Sequence, residues 1–393
     1  MKIAGLRAIL LSAPYGTADD AEVRLHLRSG FRSAALIQVL TDTGEYGLGE
    51  TYAGVYAPEA VRALVEQFEE FVCGRDPGDI AALREDLRLG SYYWGRTGLP
   101  QSVIGGIEMA LWDLKGKTLG VPVCDLLGAV HESIPAYASG GNDKPYEELA
   151  AEMREYLNLG FRHVKIRINN LPLPRIVEKI SLCRETLGAG IGLAVDAAQG
   201  LARKPWTTKE ALRVAAAIER YDILWLEEPA ELTDYAGFAE VRRGTPIAVA
   251  GGETVTSVVE AECYLNAGSL DLFQPDAGLI GGISVLRQIA QLCERRSVPI
   301  AIHAWSGGVG LMGNYHAAFA SGNCRYLELP TVPNALREEL MVEPIRLHDG
   351  NVLRPTLPGL GVKLPADLES RYPYRADSWY RILGNRNVGS LRR

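Results

Sequence analysis

The chain has 393 residues, 47% of them hydrophobic, and a formal net charge of −7. This length exceeds one ordinary core, so two domains are expected, and the hydrophobic fraction is typical of a globular protein. The negative charge argues against nucleic acid as the main partner.

Residues 1–130 do not show a regular alternation of strands and helices. Three segments have the composition of strands and two have the apolar spacing of helices; in chain order they are Lys2–Ser12, Ser33–Thr43, Tyr46–Thr51, Glu59–Phe71 and Ser102–Leu119. Because a glycine and polar residues interrupt its apolar residues, we interpret Met1–Ala13 as a first strand rather than a signal peptide. Strands followed by helices predict an α+β domain.

From about residue 134, short apolar runs alternate with amphipathic stretches. Eight runs have the composition of strands: Ile134–Ala138, His163–Ile168, Ile191–Asp196, Ile223–Glu227, Ile247–Glu253, Leu270–Pro275, Val298–His303 and Tyr326–Leu329. Helical patterns between them include Tyr146–Asn158, Pro174–Leu187, Thr208–Tyr221, Thr256–Ala267 and Ile283–Arg296. Alternating βα units with eight strands predict a (β/α)₈-type barrel over residues 131–339, and we expect residues 340–393 to pack back on the N-terminal domain.

Three carboxylates end consecutive predicted strands of this barrel. They are Asp196, Glu227 and Glu253. A buried carboxylate is costly unless its charge is compensated, and three on neighbouring strands would also repel one another. A divalent cation removes this repulsion, and hard oxygen ligands suit Mg²⁺. The sequence therefore predicts a Mg²⁺ site at the carboxyl ends of the strands, where barrels of this type have their active sites.

The other predicted strands end in charged or polar residues as well. Lys165 and Arg167 are two apart on one strand, so both face the same side. Asp276, His303 and Glu328 lie at the ends of the last three strands. Each residue alone has a structural explanation as a helix cap, a surface charge or a core histidine. Their repetition at the same end of consecutive strands favours an active site.

These side chains suit removal of a weakly acidic proton from the carbon next to a carboxylate. Asp276 would fix the tautomer of His303 and raise its basicity. A metal beside Lys165 would stabilise the enediolate that forms. Glu328, if protonated, would donate a hydrogen bond to the same developing charge.

The ordered set of motifs resembles the mandelate racemase subgroup of the enolase superfamily. The segments that carry the resemblance are Gly47-Leu48-Gly49-Glu50, Ala110-Leu111-Trp112-Asp113-Leu114-Lys115-Gly116-Lys117, Leu126-Leu127-Gly128, Lys165-Ile166-Arg167, Asp196, Glu227-Glu228-Pro229, Gly252-Glu253, Pro275-Asp276, Ile280-Gly281-Gly282, His303 and Glu328. No single motif is specific, but together they cover nearly the whole chain. The resemblance implies an α+β capping domain, completed by the C-terminal segment, on a (β/α)₇β barrel with Mg²⁺ as cofactor. It also implies that the first glutamate of the Glu227-Glu228 pair is the metal ligand.

Two positions depart from the pattern of that family. Its racemases carry a second lysine where this chain has Arg167, and arginine is a poor base but a good clamp for a carboxylate because it stays protonated. Many members carry asparagine two residues after the first metal ligand, where this chain has Ala198. A hydrogen bond to that ligand is then either lost or supplied by Gln199.

With one competent base, the resemblance favours a sugar-acid dehydratase. His303 would remove the proton, and loss of the 3-hydroxyl would give a 2-keto-3-deoxy acid from an aldonic or aldaric acid. The first alternative is a racemase or epimerase with Lys165 and His303 as bases, the pKa of Lys165 being lowered by Arg167 and the metal. A cycloisomerase is less expected, because the Asp276–His303 pair has no evident task there. An alternative of another class is an inactive metal-binding scaffold.

Substrate contacts are expected in loops of the N-terminal domain. Arg24, His26 and Arg28 alternate in the segment 14–32, so they would share a face if extended and either bind a second carboxylate or form a solvated basic edge. Candidate rings against a sugar are Tyr52, Trp305, Tyr56, Tyr92, Tyr93 and Trp94, although any of them could belong to the core.

The expected partner is a small-molecule carboxylate, bound by a homo-oligomer between a dimer and an octamer. The six cysteines are widely spaced with no CxxC pair, which is typical of reduced thiols in a cytoplasmic protein. No apolar run approaches the roughly 18 residues that cross a bilayer, so no membrane partner is expected.

Overall fold

The N-terminal strands form an antiparallel sheet. The computed structural model describes residues 1–16, 26–27, 29–169 and 171–381. In them β1 (Ile3–Pro14) pairs with β2 (Phe31–Thr41), and β2 pairs with β3 (Tyr46–Thr51). Gly44 turns the chain between β2 and β3 with a φ of +85°, a conformation that favours glycine. The three predicted strands are confirmed.

Helices follow this sheet in the chain. They are α1 (Pro58–Val72), α2 (Ile80–Gly90), α3 (Leu99–Leu119) and the short α4 (Val123–Leu126). Both α1 and α3 pack on the sheet, and α2 packs on these two helices. The two predicted helices are confirmed as α1 and α3, whereas α2 has no counterpart among the predicted elements. It buries Ile80, Leu83 and Leu87, whose spacing is that of one face of an amphipathic helix.

β3 and α3 approach so closely that only glycine fits between them. A Cβ atom on Gly49 would lie 2.0 Å from the carbonyl oxygen of Gly106, and one on Gly47 would lie 1.9 Å from that of Ala110. Both distances are far inside van der Waals contact. The Gly47-Leu48-Gly49-Glu50 motif therefore has a packing role. This close packing also positions Glu50, which contacts the barrel domain.

Eight parallel strands close into a barrel. They are β4 (Ser133–Gly140), β5 (His163–Arg167), β6 (Gly192–Asp196), β7 (Ile223–Glu227), β8 (Val249–Gly251), β9 (Leu272–Phe273), β10 (Ile300–Ile302) and β11 (Cys324–Pro330). Each pairs with the next along the chain, and β11 pairs back with β4. The eight predicted strands and the predicted barrel are confirmed.

Helices alternate with the barrel strands. They are α5 (Tyr146–Asn158), α6 (Leu173–Leu187), α7 (Thr208–Ile218), α8 (Tyr235–Gly244), α9 (Val258–Ala267), α10 (Ala277–Ile280), α11 (Ile283–Arg295) and α12 (Gly308–Phe319). A capping box starts α7: the Thr207 hydroxyl accepts from Glu210 N, and the Glu210 carboxylate accepts from Thr207 N. No helix in the described ranges is long and apolar enough to span a bilayer.

An apolar layer fills the barrel below its carboxyl end. Its members are Tyr137, Ala194, Trp225, Ala250, Leu272 and Ala301. Because side chains alternate along a strand, residues two positions after these face the same interior. Asp196 follows Ala194 and Glu227 follows Trp225 at that spacing. The two carboxylates therefore lie one layer above a dry core, at the end where the strands open.

The C-terminal segment contacts both the barrel and the N-terminal sheet. β13 (Asn351–Leu353) pairs antiparallel with β4, and the short β12 (Leu347–His348) pairs with β13. Further along, Ser378 Oγ lies 2.7 Å from Ser12 Oγ of β1. Two single-turn helices, α13 (Ala335–Glu338) and α14 (Leu368–Arg371), complete the described part of this region.

Candidate active site

Strand register places Arg167, Asp196 and Glu227 side by side. Arg167 of β5 pairs with Asp196 of β6, and Asp196 pairs with Glu227 of β7. Arg167 Nε lies 3.8 Å from Asp196 Oδ2. Glu253 follows β8, and its Oε2 lies 3.7 Å from His303 Nε2 beyond β10. The predicted carboxylates, the basic pair and the histidine thus meet at the carboxyl end of the barrel.

The carboxylates form a buried cluster in which like charges repel. Burial raises the pKa of Asp196 to about 7, and Glu227 adds to the effect. Burial also raises the pKa of Glu253, with a further contribution from Glu227 that His303 opposes. The pKa of the adjacent Glu228 is raised well above its ordinary value by burial and by Glu253. A cation in this cluster would relieve the repulsion.

The donor set suits a hard divalent cation. Every candidate ligand is a carboxylate, the group that Mg²⁺ prefers, and Glu228 Oε1 is buried without a hydrogen-bond partner among the described residues. In the same ranges no three acidic, histidine or cysteine side chains converge closely enough to hold an ion. Asp196, Glu227 and Glu253 remain the predicted ligands.

Lys165 lies between Glu227 and Glu328. Its Nζ lies 2.6 Å from Glu227 Oε1 and 3.0 Å from Glu328 Oε1. Trp225 Nε1 and Gln274 Nε2 donate to the other oxygen of Glu227, at 2.9 and 2.7 Å. Burial by itself lowers the pKa of Lys165, but the two carboxylates raise it well above its ordinary value. Lys165 is therefore held as an ammonium ion.

Asp276 and His303 form the pair that the sequence predicts. His303 Nδ1 lies 2.8 Å from Asp276 Oδ2. The other oxygen of Asp276 accepts from Asn314 Nδ2 at 2.8 Å and from Gly278 N at 2.7 Å, so Asp276 also caps α10. A carboxylate on Nδ1 places the proton of a neutral imidazole there. His303 Nε2 then faces Glu253 and is the nitrogen that can accept a proton.

The surroundings of Glu328 disfavour the protonated form that would be needed for it to donate a hydrogen bond. Burial alone would raise its pKa, but Lys165 and His303 lower it to about 2. Its oxygens accept hydrogen bonds from Trp305 Nε1 and Ala304 N, both at 2.9 Å. Glu328 is therefore held as an anion that positions Lys165.

The same negative charges make His303 a strong base. Burial by itself lowers the pKa of His303, but Glu253, Glu328 and Asp276 together raise it to about 9. A proton taken up at Nε2 is therefore held firmly between carboxylates.

The backbone amide of Ala198 donates a hydrogen bond to the first predicted metal ligand. Ala198 N donates to Asp196 Oδ1 at 2.9 Å. Its φ is +43°, in the left-handed region that asparagine tolerates better than alanine. Gln199 does not supply this bond, because its amide donates to Ala197 O and accepts from Trp206 N. The first predicted metal ligand thus has a donor two residues further on, and it is the backbone of Ala198 and not the side chain of Gln199.

A cavity of about 280 Å³ opens above the strand ends. Its lining consists of Tyr15, Arg32, Tyr52, Tyr56, Asn142, Arg167, Leu201, Glu253, Thr254, Leu279, His303, Trp305, Val332 and Tyr380. The predicted ring contacts Tyr52, Tyr56 and Trp305 belong to it, whereas the exposed segment 92–94 does not. The Tyr52 and His303 ring centroids are 5.7 Å apart, so this tyrosine lies beside the base.

His26 does not line this cavity. Its ring stacks on Tyr380 with a centroid separation of 4.7 Å, and its Nδ1 lies 2.9 Å from Arg381 O. It supports a lining residue, Tyr380, and its contact with a substrate stays a prediction. The two other residues of that prediction, Arg24 and Arg28, lie outside the described residues.

Sequence reasoning did not identify Arg32 or Asn314. Arg32 lines the cavity from β2, and Asn314 holds Asp276 from α12. Each is a buried polar residue in an element that is otherwise largely apolar. Burial of a polar side chain is costly without a partner. A polar residue within an apolar run is therefore a signal by which Arg32 and Asn314 could have been identified.

Glu50 joins the N-terminal region to the helix that supports the base. Its oxygens accept from Gly307 N at 2.7 Å and from Gly310 N at 2.8 Å, at the start of α12. That helix carries Asn314, which donates to Asp276. A carboxylate at a helix N-terminus satisfies amide groups that the helix leaves unpaired. Glu50 therefore fixes the helix that positions the Asp276–His303 pair.

Replacing Glu50 with glutamine tests this buried carboxylate. Burial raises the pKa of Glu50 from the ordinary 4.5 to about 7, so the folded state binds more protons than the unfolded state between these values. The wild type should therefore lose up to roughly 3 kcal/mol of stability as pH rises through this window. Glutamine does not titrate, so the stability of the wild type relative to Glu50→Gln should fall in the same window. Urea unfolding from pH 4 to 8 measures this, and a constant difference would contradict it.

Two family models match the chain. The mandelate racemase / muconate lactonizing enzyme N-terminal domain matches residues 28–128, and the enolase C-terminal domain-like model matches residues 148–368. Together with the closed barrel and its strand-end carboxylates, this defines the class of protein. The chain belongs to the mandelate racemase and muconate lactonizing enzyme family of the enolase superfamily.

Relatives within this family have several activities. The D-galactarolactone cycloisomerase of Agrobacterium fabrum is 31% identical, over 93% of this chain and 97% of its own length. The arabinonate dehydratase of Saccharolobus solfataricus is 30% identical, over 82% of this chain and 86% of its own. A crystal structure of a racemase from Streptomyces coelicolor with bound magnesium superimposes with a TM-score of 0.82 at 29% identity, covering 94% of this chain and 98% of that one.

Proposed function

We propose that the chain is a Mg²⁺-dependent dehydratase of a sugar acid. The observation that carries the proposal is the placement of one base. His303 is paired with Asp276 and presents Nε2 to the cavity, whereas Lys165 is committed to Glu227 and Glu328. A single base suits elimination, because inversion at a carbon needs proton transfer on both faces.

The residues around His303 support each step of an elimination. His303 Nε2 takes the proton from C2, and the electron pair of that bond enters the carboxylate as an enediolate. The ammonium group of Lys165 offsets the charge that develops there. The electron pair then forms a C2–C3 double bond as the C3–O bond breaks, and the hydroxyl leaves as water with a proton from His303. The enol that remains tautomerises to a 2-keto-3-deoxy acid.

Asp196, Glu227 and Glu253 would hold the metal for this reaction. A bound divalent cation would offset the charge of the carboxylates, return the pKa of His303 toward its ordinary value and stabilise the enediolate. Arg167 lies beside Asp196 and lines the cavity, where its guanidinium suits a substrate carboxylate. The guanidinium carbon of Arg167 lies 4.5 Å from the Trp305 ring centroid, and this contact limits the motion of the arginine side chain.

A racemase is less well supported. Its second base would be Lys165, which must give up a proton near neutral pH. A bound cation would offset the charge of Glu227, but Glu328 is not a predicted metal ligand, lies 3.0 Å from Lys165 Nζ and raises the pKa of Lys165, so it opposes the lowering that this alternative requires.

A cycloisomerase is a second candidate, favoured by the name of the Agrobacterium relative. If the oxygen on C3 belongs to a ring of the substrate, the same elimination opens the ring and releases no water. The base and the stabilisation of the anion are unchanged, so the Asp276–His303 pair has a task in this reaction too. The two candidates differ in the substrate that fills the cavity.

One experiment separates these reactions. Aldonic acids, aldaric acids and their lactones are incubated with the protein and Mg²⁺ in D₂O, with and without semicarbazide, and with EDTA as the control. We expect a semicarbazone of a product that has lost one water. An isomer that retains the water and has an opened ring supports the cycloisomerase, and deuterium at C2 with inversion supports the racemase. Absence of exchange and of product with every acid, while Mg²⁺ still binds, supports the inactive metal-binding scaffold.

A further inference from the structure

Arg32 is a buried cation that lines the cavity from the N-terminal sheet. Its side chain lies on β2, and the residue is 6% exposed. Arg32 Nη2 donates to Trp305 O at 2.8 Å. Its guanidinium carbon lies 4.5 Å from the Tyr15 ring centroid and 5.5 Å from that of Tyr52. A hydrogen bond and two aromatic rings therefore hold the group in one orientation.

The charge of Arg32 is not matched by a carboxylate in the described part of the chain. No ion pair within 4.0 Å includes it there, and its Nε is buried without a hydrogen-bond partner among the same residues. Glu50 lies close enough to affect it, but both oxygens of Glu50 accept from backbone amides. A guanidinium has five N–H donors, and burying it is costly unless acceptors are supplied. A ligand that brings an anion would supply them.

The first carboxylate of a substrate has its own cations on the barrel strand β5. The carbon that loses the proton must face His303, so the adjacent carboxylate lies toward Lys165 and Arg167. Arg32 is a further cation, on a different element. We propose that Arg32 binds a second carboxylate, so that the substrate is a dicarboxylic sugar acid. This inference rests on the proposed function, because the position of the first carboxylate follows from the role of His303.

His303 and Arg32 are close enough for one such molecule to reach both. Tyr52 contacts both ends: its ring centroid lies 5.7 Å from that of His303 and 5.5 Å from the guanidinium carbon of Arg32. The guanidinium can therefore lie no farther from the imidazole than the sum of these distances. With C–C bonds of about 1.5 Å, a five- or six-carbon acid spans roughly 5–6 Å, and one hydrogen bond at each end completes the distance.

The test compares six-carbon aldaric acids with aldonic acids of matching configuration at C2 to C5. With Mg²⁺ present, the wild type should prefer the diacid in kcat/KM and in affinity by calorimetry. Arg32→Gln should lose about 30- to 300-fold in kcat/KM for the diacid, mostly through KM, and less than about 5-fold for the monoacid. Arg32→Lys keeps the charge but not the bidentate geometry, so its kcat/KM for the diacid should lie between those of the wild type and Arg32→Gln.

Arg337→Gln is the matched control. Arg337 is also buried and also donates to a backbone carbonyl, Val332 O at 2.9 Å, but it does not line the cavity. Its replacement should leave the ratio of diacid to monoacid unchanged. If Arg32→Gln does not fold, as judged by thermal melting, the test rests on two other results. These are the preference of the wild type for the diacid and the reduction of that preference in Arg32→Lys.

The outcomes separate this inference from the proposed function. If no sugar acid is turned over but the diacid binds more tightly and Arg32→Gln removes that preference, the function fails and the role of Arg32 stands. If monoacids are dehydrated as well as diacids, and Arg32→Gln lowers both equally, the role of Arg32 is overturned and dehydration stands.

Discussion

His303→Asn is expected to lower kcat by at least about 10³-fold while Mg²⁺ binding persists, because it removes the group that takes the proton from C2. Asparagine can still hydrogen-bond to Asp276, so the carboxylate is not left unpaired. Isothermal calorimetry with Mg²⁺ and a keto-acid assay on the folded variant measure the two properties. Any exchange of the C2 proton in D₂O should be lost together with turnover.

His316→Asn controls for the loss of a buried histidine. His316 Nδ1 accepts from Cys124 N at 2.9 Å, and burial lowers the pKa of this residue to about 4. It does not line the cavity, so its replacement should cost stability but leave kcat per folded molecule unchanged. Normal turnover in His303→Asn would refute the assignment of the base.

Glu253→Gln is expected to abolish the stabilisation that Mg²⁺ gives to the wild type and to lower turnover by at least about 10³-fold. Without Mg²⁺, the variant should be at least as stable as the wild type at pH 8. The reason is that burial and Glu227 raise the pKa of Glu253, so its charged form is unfavourable in the fold and glutamine removes that cost. Thermal melting with EDTA and with a Mg²⁺ titration measures both effects.

Glu262→Gln makes the same change of charge at an exposed position of α9. It should retain the full response to Mg²⁺ and normal turnover. If Glu253→Gln still melts at a higher temperature when Mg²⁺ is added, by as much as the wild type does, Glu253 is not a metal ligand.

Much of the barrel could be predicted because its signals are local. Apolar runs of strand length alternate with helical spacing, and in a parallel barrel this order places every strand end at one rim. Asp196, Glu227, Asp276 and His303 were identified by that reasoning. The missed helix α2 has a short apolar face, and it packs against its neighbours in a region with no repeating pattern to frame it.

Other parts of the site depend on contacts between distant segments. The charge state of Glu328 follows from the approach of Lys165, 3.0 Å away in space and far away in the chain. Arg32 lines the cavity because the N-terminal sheet packs over the barrel. The spacing of apolar residues in the sequence does not predict that packing. The backbone donor at Ala198 depends on a left-handed conformation that a sequence pattern does not show.

The contact of Glu50 with α12 has a consequence for building chimeric enzymes. Exchanging N-terminal regions between relatives is a natural way to transfer substrate preference, since those regions wall the cavity. Here the transplanted piece would also have to bring an acid that reaches the two amides at Gly307 and Gly310. A donor lacking it would supply new walls while loosening the helix behind Asp276, so the graft would lose rate even where the new substrate binds.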